Sequence, residues 1–519
     1  MSQFLRMNAV LGFLHLATSY LFSTFVLSIM PVATSNPLSS VQMSEKATED
    51  YESMADRNPV VESSEYAYRG LATNLVQVNG DGVKQAARHI RHKLLVESYT
   101  PRTWRTHPLH ICPPDARSAS ASEPERILDD SLSKSVLDWI FLISALNFSF
   151  WSPLEGRPER YGVEWWAGWD DARAAAAAEE IGQDDCGSGS ESGSEEAHEL
   201  NHVHGETAPS ASPEEPQRKV HTGYWALVAA LDRALEEDIP ITTPSFYASE
   251  AACPDSLIAH VFRAASQSSE EIPLLTQRIA IMREVGFILC NSFGGTFKGF
   301  IDEFHRIHDG QGSALDLVKM VAATFPSFRD EVYYEGHKVC LWKRAQILVA
   351  ETWAAFYPAP PSSNSTDTSV PAPTLIPASP HPIFPSATGP CISALTMFAD
   401  YRVPQILHHL RILTYPSALL RKLHAHTPLA PGSREEVSLR AASIVAVERV
   451  RVEILSLMAA EERSEKAVEE GTDMDTVSSV LIDFYLWDLA KKVESGEEKI
   501  EGIQTAEMVP IHRTRSIWY

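Results

Sequence analysis

Two long polar segments of low complexity decide which parts of this 519-residue chain can share a hydrophobic core. Residues 167–219 are rich in Ala, Glu, Ser, Gly and Pro, and residues 358–390 are rich in Pro, Ser and Thr. Segments of this composition bury too little apolar surface to offset the entropy lost on folding. We therefore predict two disordered inserts within one folded domain, residues 58–519, which is long enough to bury a large core.

The first 57 residues form a separate leader in this prediction. Residues 8–30 are uncharged and largely apolar, a run of 23 residues that is long enough to span a bilayer. Polar residues dilute the run, and Arg6 is the single cation beside it. Three interpretations stay open: a signal or anchor, an organelle-targeting sequence, and an extension outside the working protein. We expect residues 34–57 to be disordered.

The charge of the chain argues against a protein that binds the phosphate backbone of nucleic acid. The formal net charge is −24, whereas such proteins normally present a basic face. Half of this charge is local, because residues 170–215 contain 13 Asp or Glu and one Arg, a net charge of −12. The remainder of the chain is mildly acidic. We predict no direct nucleic-acid partner.

Cysteine and histidine usage points to neither a disulfide framework nor a metal site. Six cysteines in 519 residues form no CxxC pair and no regular spacing, which favours reduced thiols in a cytoplasmic protein. His202 and His204 lie in the acidic insert, where polar tracts bind nothing specific, and we assign no metal and no cofactor. The cysteines are Cys112, Cys186, Cys253, Cys290, Cys340 and Cys391.

The ordered segments predict an all-α fold with one short β-hairpin. Apolar residues recur at helical spacing in most of them, and residues 137–146 are apolar enough for a buried helix. β-Branched and aromatic residues flank Glu335-Gly336 and predict the hairpin, over residues 332–342. Residues 79–84 are predicted to form a turn into a helix over 86–90, and further helices are predicted over residues 226–237, 274–290, from 343, over 433–462 and over 477–492.

One stretch, residues 396–405, combines a carboxylate and a guanidinium with a helix start. Pro404 suits the first turn of a helix, which we predict to continue to Leu413. Asp400 and Arg402 then precede a helix N-terminus, where backbone N–H groups favour anions. Two interpretations are open: Asp400 caps this helix and Arg402 is a surface charge, or the pair belongs to a functional site.

A second helix begins with two cations, Lys343 and Arg344. Positive charge opposes the macrodipole at a helix start, where carboxylates are preferred. A bound anion would explain this anomaly. The alternative is that both side chains reach solvent or a neighbouring acid.

Several short motifs occur in an order that resembles the queuosine salvage protein family. The motifs are residues 147–151 (NFSFW), 222–225 (TGYW), 325–330 (FPSFRD), 343–346 (KRAQ), 397–402 (MFADYR), 485–488 (YLWD) and the closing 512–515 (HRTR) with Tyr519. The resemblance covers residues 58–519 without the two inserts. It implies a fold like that of the helical DNA glycosylases and an N-glycosylase that hydrolyses queuosine 5′-phosphate to release queuine for tRNA modification.

The resemblance also implies roles for two residues. Asp400 corresponds to the catalytic carboxylate, as general base or as electrostatic stabiliser, and Lys343 to the lysine that contacts the substrate phosphate. Arg402 is a second phosphate candidate, Asn147 can hydrogen-bond the base, and Asp488 is a further binding candidate. The remaining predicted binding residues come from the same motifs and are mostly aromatic: Phe148, Trp151, Tyr224, Trp225, Met397, Phe398 and Tyr401.

Two other classes of function are considered. A nucleic-acid or other nucleotide N-glycosylase would need a basic groove, and the sequence has no Gly-rich helix-hairpin-helix phosphate grip. A non-catalytic helical scaffold would use the acidic insert for docking and would tolerate loss of Asp400. We predict instead a small-molecule substrate, and leave the oligomeric state open.

Overall fold

The computed structural model describes residues 58–71, 75–96, 99–115, 124–184, 216–359, 380–385, 392–464 and 477–519. All of them belong to one compact unit. The leader, including the apolar run 8–30, lies outside the described residues, as do residues 185–215 and 360–379 of the predicted inserts. None of the described helices is both long and apolar enough to cross a membrane.

Helices dominate the described residues, as predicted. Short 3₁₀ segments add Pro101–Thr106, Pro124–Asp129, Pro326–Phe328 and Ile392–Ala394. In chain order the α-helices are α1 (Pro59–Leu71), α2 (Gly80–Val96), α3 (Ser131–Leu146), α4 (Trp169–Asp184), α5 (Tyr224–Glu236), α6 (Pro244–Ala248), α7 (Asp255–Val261), α8 (Leu275–Ser292), α9 (Phe297–Ile307), α10 (Ala314–Thr324), α11 (Lys343–Ala355), α12 (Val403–His409), α13 (Ser417–His424), α14 (Arg434–Ser464) and α15 (Ser479–Ser495).

The described strands form three antiparallel pairs rather than the one predicted. The predicted hairpin is confirmed, with Glu335-Gly336 at its turn. Each of the other two pairs joins segments far apart in sequence, so that no local turn signal announces it. The strands are β1 (Gln77–Val78), β2 (Gly162–Trp166), β3 (Arg218–Thr222), β4 (Glu331–Tyr334), β5 (His337–Cys340) and β6 (Leu413–Thr414), paired β1–β6, β2–β3 and β4–β5.

Helices α3 and α11 form the centre of the core. Every residue of α11 is buried, and so is α3 from Val136 to Leu146. A helix that is apolar on all sides must be covered on all sides, and α3 packs against α8, α9 and α11. Asp130 caps α3, because its side chain accepts hydrogen bonds from the N–H groups of Leu132 and Ser133 at 2.9 and 3.3 Å.

The chain is ordered further into both predicted inserts than their predicted boundaries, residues 167–219 and 358–390. Helix α4 occupies residues 169–184, since a run of alanines has high helix propensity and Asp170 favours the first turn. Strand β3 begins at Arg218 and pairs with β2. Within the second insert, residues 380–385 are described, and Ile383 and Phe384 are buried because their apolar side chains join the core.

Helix α12 is shorter than predicted. It begins at Val403 with Pro404 in its first turn, but it ends at His409 and not at Leu413. Arg411 adopts the left-handed region, with φ of 60°, and the following residues form β6 instead. The main chain of α2 lies against this turn, because a Cβ at Gly82 would be 2.0 Å from the Arg411 carbonyl oxygen. Contact with β1 and α2 therefore overrides the helical pattern of residues 410–413.

Candidate active site

A cavity of about 790 Å³ opens between the end of α3, the starts of α5 and α11, the turn before α12, and one face of α15. This volume lies within the roughly 300–1,000 Å³ typical of small-molecule sites. Helix α15 turns Asp483, Trp487 and Lys491 toward the cavity, at the i, i+4, i+8 spacing of one helix face. Residues of the segment 99–110 supply another wall.

Asp400 is 8% exposed and lies in the cavity wall. Its Oδ1 accepts hydrogen bonds from the N–H groups of Arg402 and Val403, both at 2.9 Å, so the side chain does cap the start of α12. No hydrogen bond from another described residue reaches its Oδ2. Burial raises the pKa of Asp400, while the positive charge of Lys343 and the two N–H groups counteract this rise. Capping and chemistry are therefore compatible roles for this carboxylate.

Lys343 is 5% exposed and connects α11 to the end of α3. Its Nζ donates to the backbone oxygen of Asn147 at 3.1 Å and to the Asn147 Oδ1 at 3.0 Å. Burial lowers the pKa of Lys343 to about 8, and the negative charge of Asp400 limits the fall. The ammonium thus lies where it can reach both the Asn147 amide and the Asp400 side of the cavity.

The two cations at the start of α11, Lys343 and Arg344, both donate hydrogen bonds to backbone oxygens at the end of α3, which the sequence did not reveal. Arg344 does not reach solvent or an acid; it donates to the backbone oxygens of Ala145 and Ser327. Arg278 donates to the backbone oxygens of Leu146 and Phe148. Because the last carbonyls of a helix have no intrahelical partner, these cations satisfy the buried C-terminus of α3. A bound anion is not needed to explain them.

Asp483 is a second buried carboxyl group in the cavity wall. Its Oδ1 accepts a hydrogen bond from the N–H of Phe398 at 2.9 Å, which ties α15 to the segment that carries Asp400. Burial first, and then the negative charge of Asp400, raise the pKa of Asp483 well above its usual range. Two neighbouring carboxyls whose pKa values are pushed apart favour one ionised and one protonated member. The positive charge of Lys343 and the two N–H groups favour Asp400 as the ionised member.

Aromatic rings form another part of the cavity wall. The rings of His107 and Trp225 stack with centroids 3.5 Å apart and planes 5° apart, and Tyr224 and Trp487 meet Trp225 edge to face. Burial lowers the pKa of His107 to about 2, so this ring is a neutral part of the wall. Such a surface can stack on a planar base.

Glu351 lies on α11 behind this wall. The hydroxyl of Tyr224 donates to its Oε1 at 3.3 Å. Burial raises the pKa of Glu351 to about 7, and the Tyr224 hydrogen bond and the charge of Lys343 oppose the shift.

The cavity brings together most of the residues predicted from the motifs. Lys343, Asp400 and Arg402 all line it, and Arg402 pairs with Glu494 at 2.6 Å. Asp488 is at its rim, in an ion pair with Lys492 at 2.8 Å. The other predicted residues that line the cavity are Asn147, Trp151, Tyr224, Trp225, Phe398 and Tyr401.

Two predicted binding residues, Phe148 and Met397, do not line the cavity. Both are completely buried. The Phe148 ring packs under the guanidinium groups of Arg278 and Arg344, at 4.3 and 5.1 Å. Neighbours of a site residue in a motif point the other way along an extended segment, which is why these two side chains enter the core.

Four residues that line the cavity were not predicted as site residues from the sequence: Asp483, Glu351, Lys491 and His107. A charged residue inside an apolar helical run was an available signal for Asp483 and Glu351, since such a group is rarely buried without a reason. No signal marked His107 or Lys491. Among the described residues, no three His, Cys, Asp or Glu side chains are grouped so that they could hold a metal ion.

Comparison with known proteins gives consistent matches. The family model described as Queuosine salvage protein matches residues 128–364 and 387–519. A Schizosaccharomyces pombe protein named Queuosine 5′-phosphate N-glycosylase/hydrolase is 33% identical over 456 residues, 86% of this chain and 96% of its own length. Proteins with the same name from Mus musculus and Sphaerobacter thermophilus are 32% and 36% identical, covering 74% and 58% of this chain and 82% and 73% of their own lengths.

Proposed function

This chain belongs to the queuosine salvage protein family, and on that premise we propose that it hydrolyses the N-glycosidic bond of queuosine 5′-phosphate and releases queuine. The enzyme is an N-glycosidic hydrolase of queuosine salvage. One observation carries the proposal: Asp400 presents a carboxylate oxygen without a described hydrogen-bond partner to a nucleotide-sized cavity that Lys343 and aromatic rings also line.

The chemistry requires two kinds of charge stabilisation. Cleavage leaves positive charge on the ribose and negative charge on the departing base, and a 7-deazaguanine has no N7 that can take a proton. The Asp400 carboxylate stabilises the ribosyl cation and can accept a proton from the attacking water. The two roles need the same ionised group.

Asp483 is the proton donor in this proposal. Burial and the negative charge of Asp400 raise its pKa and favour its protonated form, so that it can give a proton to the leaving base while Asp400 takes one from water. The water oxygen bonds to C1′ as the bond from C1′ to the base nitrogen breaks. The products are free queuine and ribose 5-phosphate, and exchange with solvent restores both carboxyls.

The remaining contacts concern substrate binding. Lys343 and Arg402 face the 5′-phosphate, the side chains of Trp225, Tyr401 and Phe398 offer surfaces for the base, and the Asn147 amide offers hydrogen bonds to its polar edge. Because Lys343 is buried and Arg402 is half-buried, their hydrogen bonds to phosphate are stronger than the same bonds in water.

The decisive experiment is incubation of the purified protein with queuosine 5′-phosphate and detection of queuine by mass spectrometry. We expect release by the wild type and a fall of about 10²–10³ or more in kcat for Asp400→Asn, because one preorganised charge is lost. Thermal unfolding serves as the folding control. No release by the wild type, or undiminished release by Asp400→Asn, would refute the proposal.

Asp483→Asn tests the proton donor. The amide oxygen keeps the hydrogen bond from the Phe398 N–H, but the side chain can no longer release a carboxyl proton. We expect kcat to fall by about 10²–10⁴ while the Kd for substrate changes by only a few fold. An unchanged kcat would remove Asp483 from the mechanism.

A nucleic-acid N-glycosylase is the less supported reading. The formal net charge of −24 opposes binding to a phosphate backbone, and the cavity is the size of one nucleotide. In the same assay, an oligonucleotide substrate should yield no free base.

We propose the cytoplasm as the location. The four cysteines that the structure describes are free thiols, as expected in a reducing compartment. An N-linked glycan at Asn364-Ser365-Thr366 in the protein made in its own cells would contradict this location.

A further inference from the structure

Four cations line the cavity, and three of them already have polar partners. Arg160 pairs with Glu155, Arg402 pairs with Glu494, and the Lys343 ammonium is held by Asn147. The fourth, Lys491 on α15, makes no hydrogen bond and no ion pair with any described residue.

The position of Lys491 is fixed by aromatic rings rather than by an acid. Its Nζ lies 4.6 Å from the centroid of the Trp487 ring and 5.3 Å from that of Trp225. Cation–π contacts orient an ammonium but leave its N–H donors unused. Burial lowers the pKa of Lys491 to about 8 and the positive charge of Arg402 adds to the shift, while the negative charges of Asp488 and Glu497 oppose it. The N–H donors of Lys491 are therefore available to an anion in the cavity.

The helix geometry sets the reach of this ammonium. Side chains lean toward the N-terminus of their helix, and the contact with Trp487 indicates that Lys491 folds back by one turn. Its Nζ is then about 6 Å along the axis from Asp483, at 1.5 Å per residue over four residues. This distance is similar to the distance across a ribose, from the glycosidic bond that breaks to the 5′ substituent.

We propose that Lys491 binds the 5′-phosphate of the substrate and selects the nucleotide over the nucleoside. The inference rests on the proposed function, since that substrate carries its negative charge on the phosphate alone. A phosphate monoester carries about −1.5 to −2 charges at neutral pH, more than one cation balances. Asp400 partly neutralises Lys343, and Glu494 pairs with Arg402, whereas Lys491 adds a positive charge that no ion pair with a described residue engages.

The test compares two ligands in full-chain protein. Titration calorimetry with Asp400→Asn, which suppresses turnover, gives the Kd for queuosine 5′-phosphate and for queuosine. Adding Lys491→Met should weaken the nucleotide by about 10–100-fold and the nucleoside by less than 2-fold, since a charge-assisted hydrogen bond is lost only with the phosphate. Lys491→Arg keeps the charge and should restore most of the nucleotide affinity.

The control is Lys499→Met, which removes the same charge at an exposed lysine outside the cavity and should change neither Kd. Equal losses for both ligands, or no loss for the nucleotide, would overturn the assignment of Lys491. Queuine release by the wild type is measured in parallel. If the wild type releases none, the proposed reaction fails, whereas the difference between the two ligands still decides what Lys491 binds.

Discussion

At the scale of single residues, the cavity is defined by buried charges in different protonation states. Burial raises the pKa of Asp400, Asp483 and Glu351, and the positive charge of Lys343 opposes the rise at all three; two backbone N–H groups also oppose it at Asp400. The same type of side chain therefore differs in acidity according to its surroundings, and this difference underlies the base and acid roles that we propose for Asp400 and Asp483.

Glu351 makes stability depend on pH in a predictable direction. Its pKa is raised from 4.5 to about 7 on folding, so the native state binds the proton more tightly than the unfolded state does. Stability is greatest below pH 4.5 for this group and is lost as pH rises through 7. Glu351→Gln removes this loss. We therefore expect the stability of the variant relative to wild type, measured as the free energy of unfolding, to be about 2 kcal/mol higher at pH 8 than at pH 5.

Urea denaturation at the two pH values provides the measurement. The matched control is Glu250→Gln, at an exposed position. A difference between Glu351→Gln and wild type that does not vary between pH 5 and pH 8 would show that Glu351 titrates alike in both states.

At the scale of elements, the site depends on how the end of α3 is satisfied. The carbonyls of Ala145, Leu146, Asn147 and Phe148 all accept hydrogen bonds from cations on α8 and α11. This arrangement ends α3 without a glycine and directs Asn147 toward the cavity. The turn before α12 and helix α15 are joined by the hydrogen bond that the Phe398 N–H donates to Asp483, and both residues line the same cavity.

Arg344→Met should destabilise the fold because it leaves the buried carbonyls of Ala145 and Ser327 without donors. We expect a loss of about 3 kcal/mol in the free energy of unfolding. The control Arg306→Met lies on α9 at an exposed position and should leave the free energy of unfolding nearly unchanged. Comparable stability of the two variants in urea would contradict this role for Arg344.

At the scale of the whole molecule, the C-terminus completes the site. The backbone oxygen of Tyr519 accepts a hydrogen bond from the N–H of Ser149 at 2.9 Å, and the Trp151 indole donates to the oxygen of Thr514 at 2.9 Å. The Tyr519 ring lies 4.1 Å from the guanidinium carbon of Arg440, which pairs with Asp330. The last residues thus support the wall formed by residues 147–151.

Removing residues 516–519 should therefore affect both stability and substrate binding. The truncated chain leaves the Ser149 N–H unpaired and uncovers the Arg440 network, and we expect its Tm to fall by roughly 5 °C or more. The KM for queuosine 5′-phosphate should rise. Deletion of residues 190–210 in the predicted insert is the control, with an expected Tm change below about 1 °C; equal effects of the two deletions would argue against a specific role for the tail.

Much of this protein was predictable from its sequence alone. Helical periodicity gave the main helices and the Glu335-Gly336 turn gave the hairpin, because these patterns reflect contacts between near neighbours in the chain. The order of the short motifs along the chain identified the family. The family in turn implied the substrate and the roles expected of Asp400 and Lys343. The alanine-rich start of the first insert was wrongly predicted to be disordered. That prediction rested on composition and did not weigh the high helix propensity of alanine.

The tertiary structure alone decided which buried groups face one another. The strand pairs β1–β6 and β2–β3, the capping of α3 by Arg278 and Arg344, and the electrostatic interaction of Asp400 with Asp483 all join residues distant in sequence. A side chain's pKa and partners depend on desolvation and on charges brought close by packing, which no local pattern encodes. The sequence therefore determined the elements and the chemistry expected of Asp400, and the fold determined that the Asp483 carboxyl and the Lys491 ammonium line the same cavity.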